Sequence, residues 1–229
     1  MNKGQVSASF LPISLVISIG GLALIIFMVL QLNVENSLTL TQRNPIGAIF
    51  CVLCLLGIAA VFYPVKCRVA FNPVQERNVE LGKVHSSIEI IGHHPGCQEF
   101  EGNRIKLGRR TFCAACTGLL IGATISLAGT ILYFSGDFRI VPGNIWLVVS
   151  GEVLMLVGLT QIKFAGSAKT ALNAVFVLGA FLIFVEVDAL LKSLFVDLYV
   201  FGLILFLLWF RISLSEWNNK RTCHECQLC

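Results

Sequence analysis

Charge is scarce in this chain: Asp, Glu, Lys and Arg make up 13% of the 229 residues, while 56% are hydrophobic and the mean hydropathy is +0.81. Soluble domains carry about a quarter charged residues, so a soluble globular class is excluded. Histidine is equally sparse. The four residues, His85, His93, His94 and His224, all lie outside the long apolar runs, which excludes haem held by paired intramembrane histidines. No Cys-x2-Cys pair is followed by His, which excludes covalent c-type haem. Missing altogether are a Ser-His-Asp set, a phosphate loop, a His-Glu-x-x-His helix and paired catalytic carboxylates, so no enzymatic activity is assigned. There is no arginine-rich patch interleaved with aromatics either, and nucleic acid is not an expected partner despite a net charge of +4.

What is present is a series of apolar runs at residues 10–32, 46–63, 113–134, 144–162, 170–187 and 194–210. A bilayer needs about 20 such residues per helix. The expected fold is therefore an all-α membrane protein of about six transmembrane helices in contact with the lipid bilayer. The first run is too long for a signal core and lacks a small-x-small cleavage site, so it reads as a retained helix. Pro45 is placed to start the second span. In the third, Gly118, Gly122, Ala128 and Gly129 allow close approach of a neighbouring helix. The chain divides into helices 1 and 2 (1–64), a cytoplasmic loop module (65–112), helices 3 to 6 (113–212) and a cytoplasmic Cys-rich tail (213–229). Within the module, β-branched runs at 65–71 and 84–91 predict two or three short strands.

Lys and Arg set the orientation. With both termini inside, 14 of the 17 basic residues lie on the inner side and only Arg43, Arg139 and Lys192 outside. The expectation is a multi-pass protein of the cell membrane with cytoplasmic N- and C-termini. Its loop and tail cysteines then occupy a reducing compartment, where clustered thiols read as metal ligands rather than disulfides. Nine cysteines, an odd number, also argue against a fully paired framework.

The most informative stretch is His93-His94-Pro95-Gly96-Cys97, followed fifteen residues later by Cys113-Ala114-Ala115-Cys116-Thr117-Gly118. Counted from His94 this is His-x2-Cys-x15-Cys-x2-Cys, the two-knuckle spacing of zinc ribbons with one Cys replaced by His. Pro95-Gly96 supplies a tight turn within the first pair. The second pair falls where an apolar run begins, and a helix N-terminus there stabilises thiolates. The expected ligands are His94, Cys97, Cys113 and Cys116, with His93 as the alternative nitrogen. Zinc is the expected metal, with iron or an iron–sulfur cluster as the alternative. The segment between the knuckles, with Gly102, Gly108 and several basic residues, reads as an exposed loop or short hairpin.

The same thirty residues resemble a group of uncharacterised archaeal and other prokaryotic integral membrane proteins, which carry His-His-Pro-x-Cys followed by Cys-Ala-x-Cys-Thr-Gly-Leu. The resemblance implies a site and a membrane address but no activity. The chain departs from that pattern at Asn103, where the family carries His, so no ligand role is transferred to it.

Three further features stand beside this motif. Cys223, Cys226 and Cys229 form a second cluster, which His224 and Cys67 could complete as another metal site; the alternative is a flexible tail with reactive thiols. Glu152 lies near the middle of the fourth span, either as an ion or proton site or as a packed, hydrogen-bonded acid. Glu186 and Asp188 are expected to be solvated at the outer boundary, and Lys163 and Lys169 to snorkel at the inner one. Cys51 and Cys54 share one helical face and read as small packing residues. Three functions fit: a structural or regulatory platform for a cytoplasmic protein partner, a membrane redox protein with an iron–sulfur or rubredoxin-like centre, and a transporter using Glu152.

Overall fold

The computed structural model describes residues 10–31, 40–62, 90–91, 94–95, 98–107, 110–135 and 143–225. It is all-helical apart from short strands between the second and third long helices. In order these are α1 (Phe10–Gln31), α2 (Leu40–Phe62), β1 (Ile90–Ile91), β2 (His94–Pro95), a 3-10 turn (Gln98–Asn103), β3 (Arg104–Leu107) and β4 (Arg110–Cys113). Then follow α3 (Ala114–Ser135), α4 (Ile145–Leu159), a second 3-10 turn (Thr160–Lys163), α5 (Gly166–Leu191) and α6 (Leu194–Glu225). Among the described residues six helical segments are long and apolar enough to cross a membrane. Side chains such as Val16, Leu30, Leu56 and Phe195 stand 62–75% exposed, an apolar surface suited to lipid rather than water.

Helix α5 is the axis of the bundle. More than half of its most apolar window is buried (56%), against 22% for α1 and for α2, and its principal neighbours are α3 and α4. Two runs of small residues permit this. Gly118 and Gly122 of α3 face the Thr170 and Ala174 carbonyls of α5; a Cβ on Gly122 would stand 2.8 Å from the Ala174 oxygen. On the other flank Gly151 of α4 meets Gly179 of α5 backbone to backbone. Such contacts replace the hydrophobic driving force, which is absent between helices in lipid. Phe50, Phe184, Phe176, Met155 and Ile183 fill the remaining space, with Phe50 stacked on Phe184 at 4.6 Å.

The helix ends follow local chemistry. Asn144 caps α4 by accepting from the Trp146 N–H at 2.9 Å. Gly166, at φ +55°, makes the reversal into α5 that an L side chain resists. At the far end Lys192 takes the left-handed conformation at φ 45° and donates its N–H to the Asp188 carbonyl. Odd-numbered helices start on the side of the β hairpin, called here the loop side, and even-numbered ones on the far side. The Phe10–Trp209 edge contact on the loop side, at 5.3 Å, ties the start of α1 to the later part of α6.

The apolar span of the second helix begins at Pro45, as expected, and α2 itself starts five residues earlier, at Leu40. Three expectations need correction. The acids Glu186 and Asp188 are not solvated: they are 1% and 0% exposed, because α5 runs on to Leu191 and carries them into the bundle. Lys169 does not snorkel either, being 6% exposed, whereas Lys163 is exposed as expected. Finally, the last helix passes residue 212 without a break and reaches Glu225, so Cys223 and His224 belong to α6 rather than to a loose tail.

Candidate metal centre

The strand pair β3–β4 delivers the second knuckle to the bundle. Arg104 pairs with Cys113 and Leu107 with Arg110, which makes the inter-knuckle segment the hairpin that its glycines and basic residues suggest. Helix α3 follows β4 without a linker, so Cys113 closes the hairpin and Cys116 sits in the first turn of the helix. The two residues stand three apart across the seam, within electrostatic reach of each other, and neither is in a disulfide. Thr117 secures this turn by donating to the Cys113 carbonyl at 3.0 Å.

The first knuckle is described only in part. His94 lies on β2, paired with Ile91 of β1, and β1 in turn lies beside β4, the strand that ends at Cys113. His93, Cys97, Cys67, Cys226 and Cys229 fall outside the described residues, as do the side chains of His94, Cys223 and His224. Among the described residues no group of three or more His, Cys, Asp or Glu side chains gathers. Cys113 and Cys116 thus form half of the expected tetrad. Their adjacency at the start of a helix suits thiolate ligation. Cys51 and Cys54 are placed as packing residues in α2, Cys54 being 5% exposed.

The hairpin does not stand away from the membrane helices. Its preceding turn, Gln98–Asn103, touches both α5 and α6, and a Cβ on Gly102 would stand 3.0 Å from Ala165. Asn103 accepts a hydrogen bond from the Lys169 ammonium, which explains the burial of that lysine. Thr170 of α5 donates to the Ala114 carbonyl at 3.0 Å, tying the start of α3 to the start of α5.

Around the thiols lies a polar cluster that sequence reasoning missed. Arg211 of α6 is 6% exposed, donates from Nη2 to Gln161 Oε1 at 3.2 Å, and stacks over the Phe176 ring at 5.0 Å. It lies within electrostatic reach of Cys116 and of Lys169, and Lys169 within reach of Cys113. Asn173, fully buried, donates to the Lys169 carbonyl at 2.6 Å. Lys169 and Arg211 lie near span ends, where basic residues ordinarily point to water. The available signal for Arg211 was the lack of any Gly or Pro after Gly202, which lets α6 run on past it.

The far side has the opposite character. Asp188 accepts from the Tyr133 hydroxyl at 2.6 Å, Glu186 accepts from the Asn144 N–H at 2.9 Å, and Asp197 is 1% exposed. Between the two ends Glu152 is 6% exposed and its Oε1 has no hydrogen-bond partner. Buried positive charge thus collects on the loop side and buried acid on the other. No protein-family model, curated protein or solved structure matches this chain.

Proposed function

We propose that the chain is a regulatory platform of the cell membrane in which one zinc ion fixes the loop module onto the inner mouth of a six-helix bundle. Cys113 and Cys116 would supply two ligands from the bundle side. His94 and Cys97 would supply two from the loop, with His93 as the alternative nitrogen. The single observation that carries this reading is the paired Cys113 and Cys116 side chains at the seam between hairpin and helix, where the loop meets α5 and α6. A metal there couples the conformation of residues 65–112 to the bundle, and presents or withholds that segment from a cytoplasmic protein partner. The resemblance of His-His-Pro-x-Cys and Cys-Ala-x-Cys-Thr-Gly-Leu to a pattern of prokaryotic membrane proteins implies the same site. Three thiolates on a divalent ion leave one negative charge, which suits the Lys169 and Arg211 side chains nearby.

Residues 65–112 are too few to build a stable core alone, so metal is expected to hold them in place. Chelator-stripped protein should be cleaved by protease within 65–112, and added zinc should restore protection while the helices stay intact throughout. Cleavage that ignores zinc would sink the reading.

The inward orientation rests on the 14 to 3 distribution of Lys and Arg, in which Lys169 and Arg211 are counted. Single cysteines at Asn36 and Asn218, in a background lacking native cysteines, separate the two faces. An impermeant thiol reagent applied to intact cells should label position 36 and spare position 218. The reverse pattern would put the site in the oxidising compartment.

A further inference from the structure

Lys169 and Arg211 are like charges buried at the loop-side mouth of the bundle, each 6% exposed and within electrostatic reach of the other. Their contacts are with neutral partners: Lys169 with the Asn103 amide oxygen, Arg211 with the Gln161 amide oxygen and the Phe176 face. Among the described residues no carboxylate stands opposite either cation; the nearby ionisable groups are Cys113 and Cys116. Burying two mutually repelling cations is costly unless a negative charge joins them. A zinc centre with three thiolates supplies only one such charge, so a surplus positive charge remains even with the metal bound.

Two more features turn this surplus into a binding site. The Arg211 Nε is buried and has no hydrogen-bond partner, although the guanidinium plane is fixed by Gln161 and Phe176. A guanidinium edge with a free N–H is suited to an oxyanion. Helices α3 and α5 both begin at this mouth, tied together by the Thr170–Ala114 hydrogen bond, so two positive dipole ends converge near the cations. The depth is informative as well. Arg211 lies 17 residues from the start of α6 at Leu194, a rise of roughly 25 Å, which places it near the edge of a hydrocarbon layer about 30 Å thick. Phosphodiester groups of lipids lie just outside that edge.

We infer that Lys169 and Arg211, beneath the N-termini of α3 and α5, form a binding site for a phosphate-type oxyanion, taken either from a phospholipid headgroup or from free phosphate. This site does not require the zinc centre to exist.

The test uses the full purified chain in a non-ionic detergent, stripped of phospholipid and compared at matched ionic strength in chloride. In one arm inorganic phosphate is titrated; in the other, a short-chain phosphatidic acid. A rise in unfolding temperature in either arm supports the site: phosphate alone assigns a soluble anion, and the lipid alone assigns a headgroup. Lys169→Gln and Arg211→Gln should each weaken that response by roughly tenfold or more, the loss of one charge-assisted hydrogen bond. Lys169→Arg keeps the charge and should keep the response, which controls for misfolding of the Gln variants. A combined Cys113→Ser and Cys116→Ser variant should bind the anion as before. Metal measured in the same samples separates the two proposals, because loss of metal with an intact anion response defeats only the zinc centre. Absence of a response to both probes in the parent protein would overturn the inference. So would a response that the Gln variants retain, or one that disappears with the two cysteines, since the anion would then depend on the thiol centre rather than on the two cations.

Discussion

Gly118→Val is expected to destabilise the bundle by at least about 2 kcal/mol and to separate the starts of α3 and α5, because overpacked interiors typically lose 1–3 kcal/mol and this contact is with backbone. The Cβ would run into the Thr170 carbonyl oxygen and stand 2.7 Å from the Asn173 Cβ. A flexible side chain can swing aside from such a clash; a helix carbonyl cannot. The consequence extends beyond packing. Thr170 also holds the Ala114 carbonyl, and Asn173 holds the Lys169 carbonyl, so prising the helices apart disturbs the supports of the thiol pair and of Lys169 together. Thermal unfolding in detergent measures the loss. Gly202→Ala is the matched control, since nothing lies within 4 Å of a Cβ there. In a helix interior that change should be neutral or stabilise by about 0.5–1 kcal/mol. An equal loss at Gly202, where a Cβ meets nothing, would mean that close approach does not set the sensitivity.

Much of this architecture can be read from hydropathy alone, because lipid leaves only a closed set of solutions for backbone hydrogen bonding. The six apolar runs become six long helices, and the small residues of the third run face a neighbour as their spacing suggests. The inter-knuckle hairpin follows from its glycines and basic residues. What hydropathy misses is the face on which a polar residue lands. Lys169 and Arg211 sit within reach of the boundary, and whether each bends outward or packs inward depends on the Asn103 and Gln161 partners supplied by distant segments. The same holds for Asp188, which is buried because Tyr133 of α3 reaches it across a parallel helix pair. The length of α6 was legible from the lack of any Gly or Pro after Gly202, but polarity from Ser213 onward suggested a tail. The proposed metal tetrad is legible only as spacing; of its four residues the described structure gives the side chains of Cys113 and Cys116, which flank the seam between β4 and α3.

The second large effect concerns those two thiols. Cys116→Ser would remove one ligand from the proposed site, whose metal would hold a segment with little core of its own. Structural zinc contributes on the order of 10 kcal/mol to such modules. The variant should therefore lose most bound metal and expose residues 65–112 to protease, while the helices persist through their own hydrogen bonds and packing.

Metal content per chain, with an absorption spectrum of anaerobically purified protein, tests the central claim most directly. The predicted result is one zinc per parent chain, no absorbance above about 300 nm, and near-complete loss of metal in Cys116→Ser. A second ion retained by Cys116→Ser would add the Cys223, Cys226 and Cys229 cluster as a further site. A brown protein would place an iron–sulfur centre here instead of zinc, with a redox function. Stoichiometric metal that survives combined loss of Cys97, Cys113 and Cys116, or no metal in the parent protein, would contradict the account.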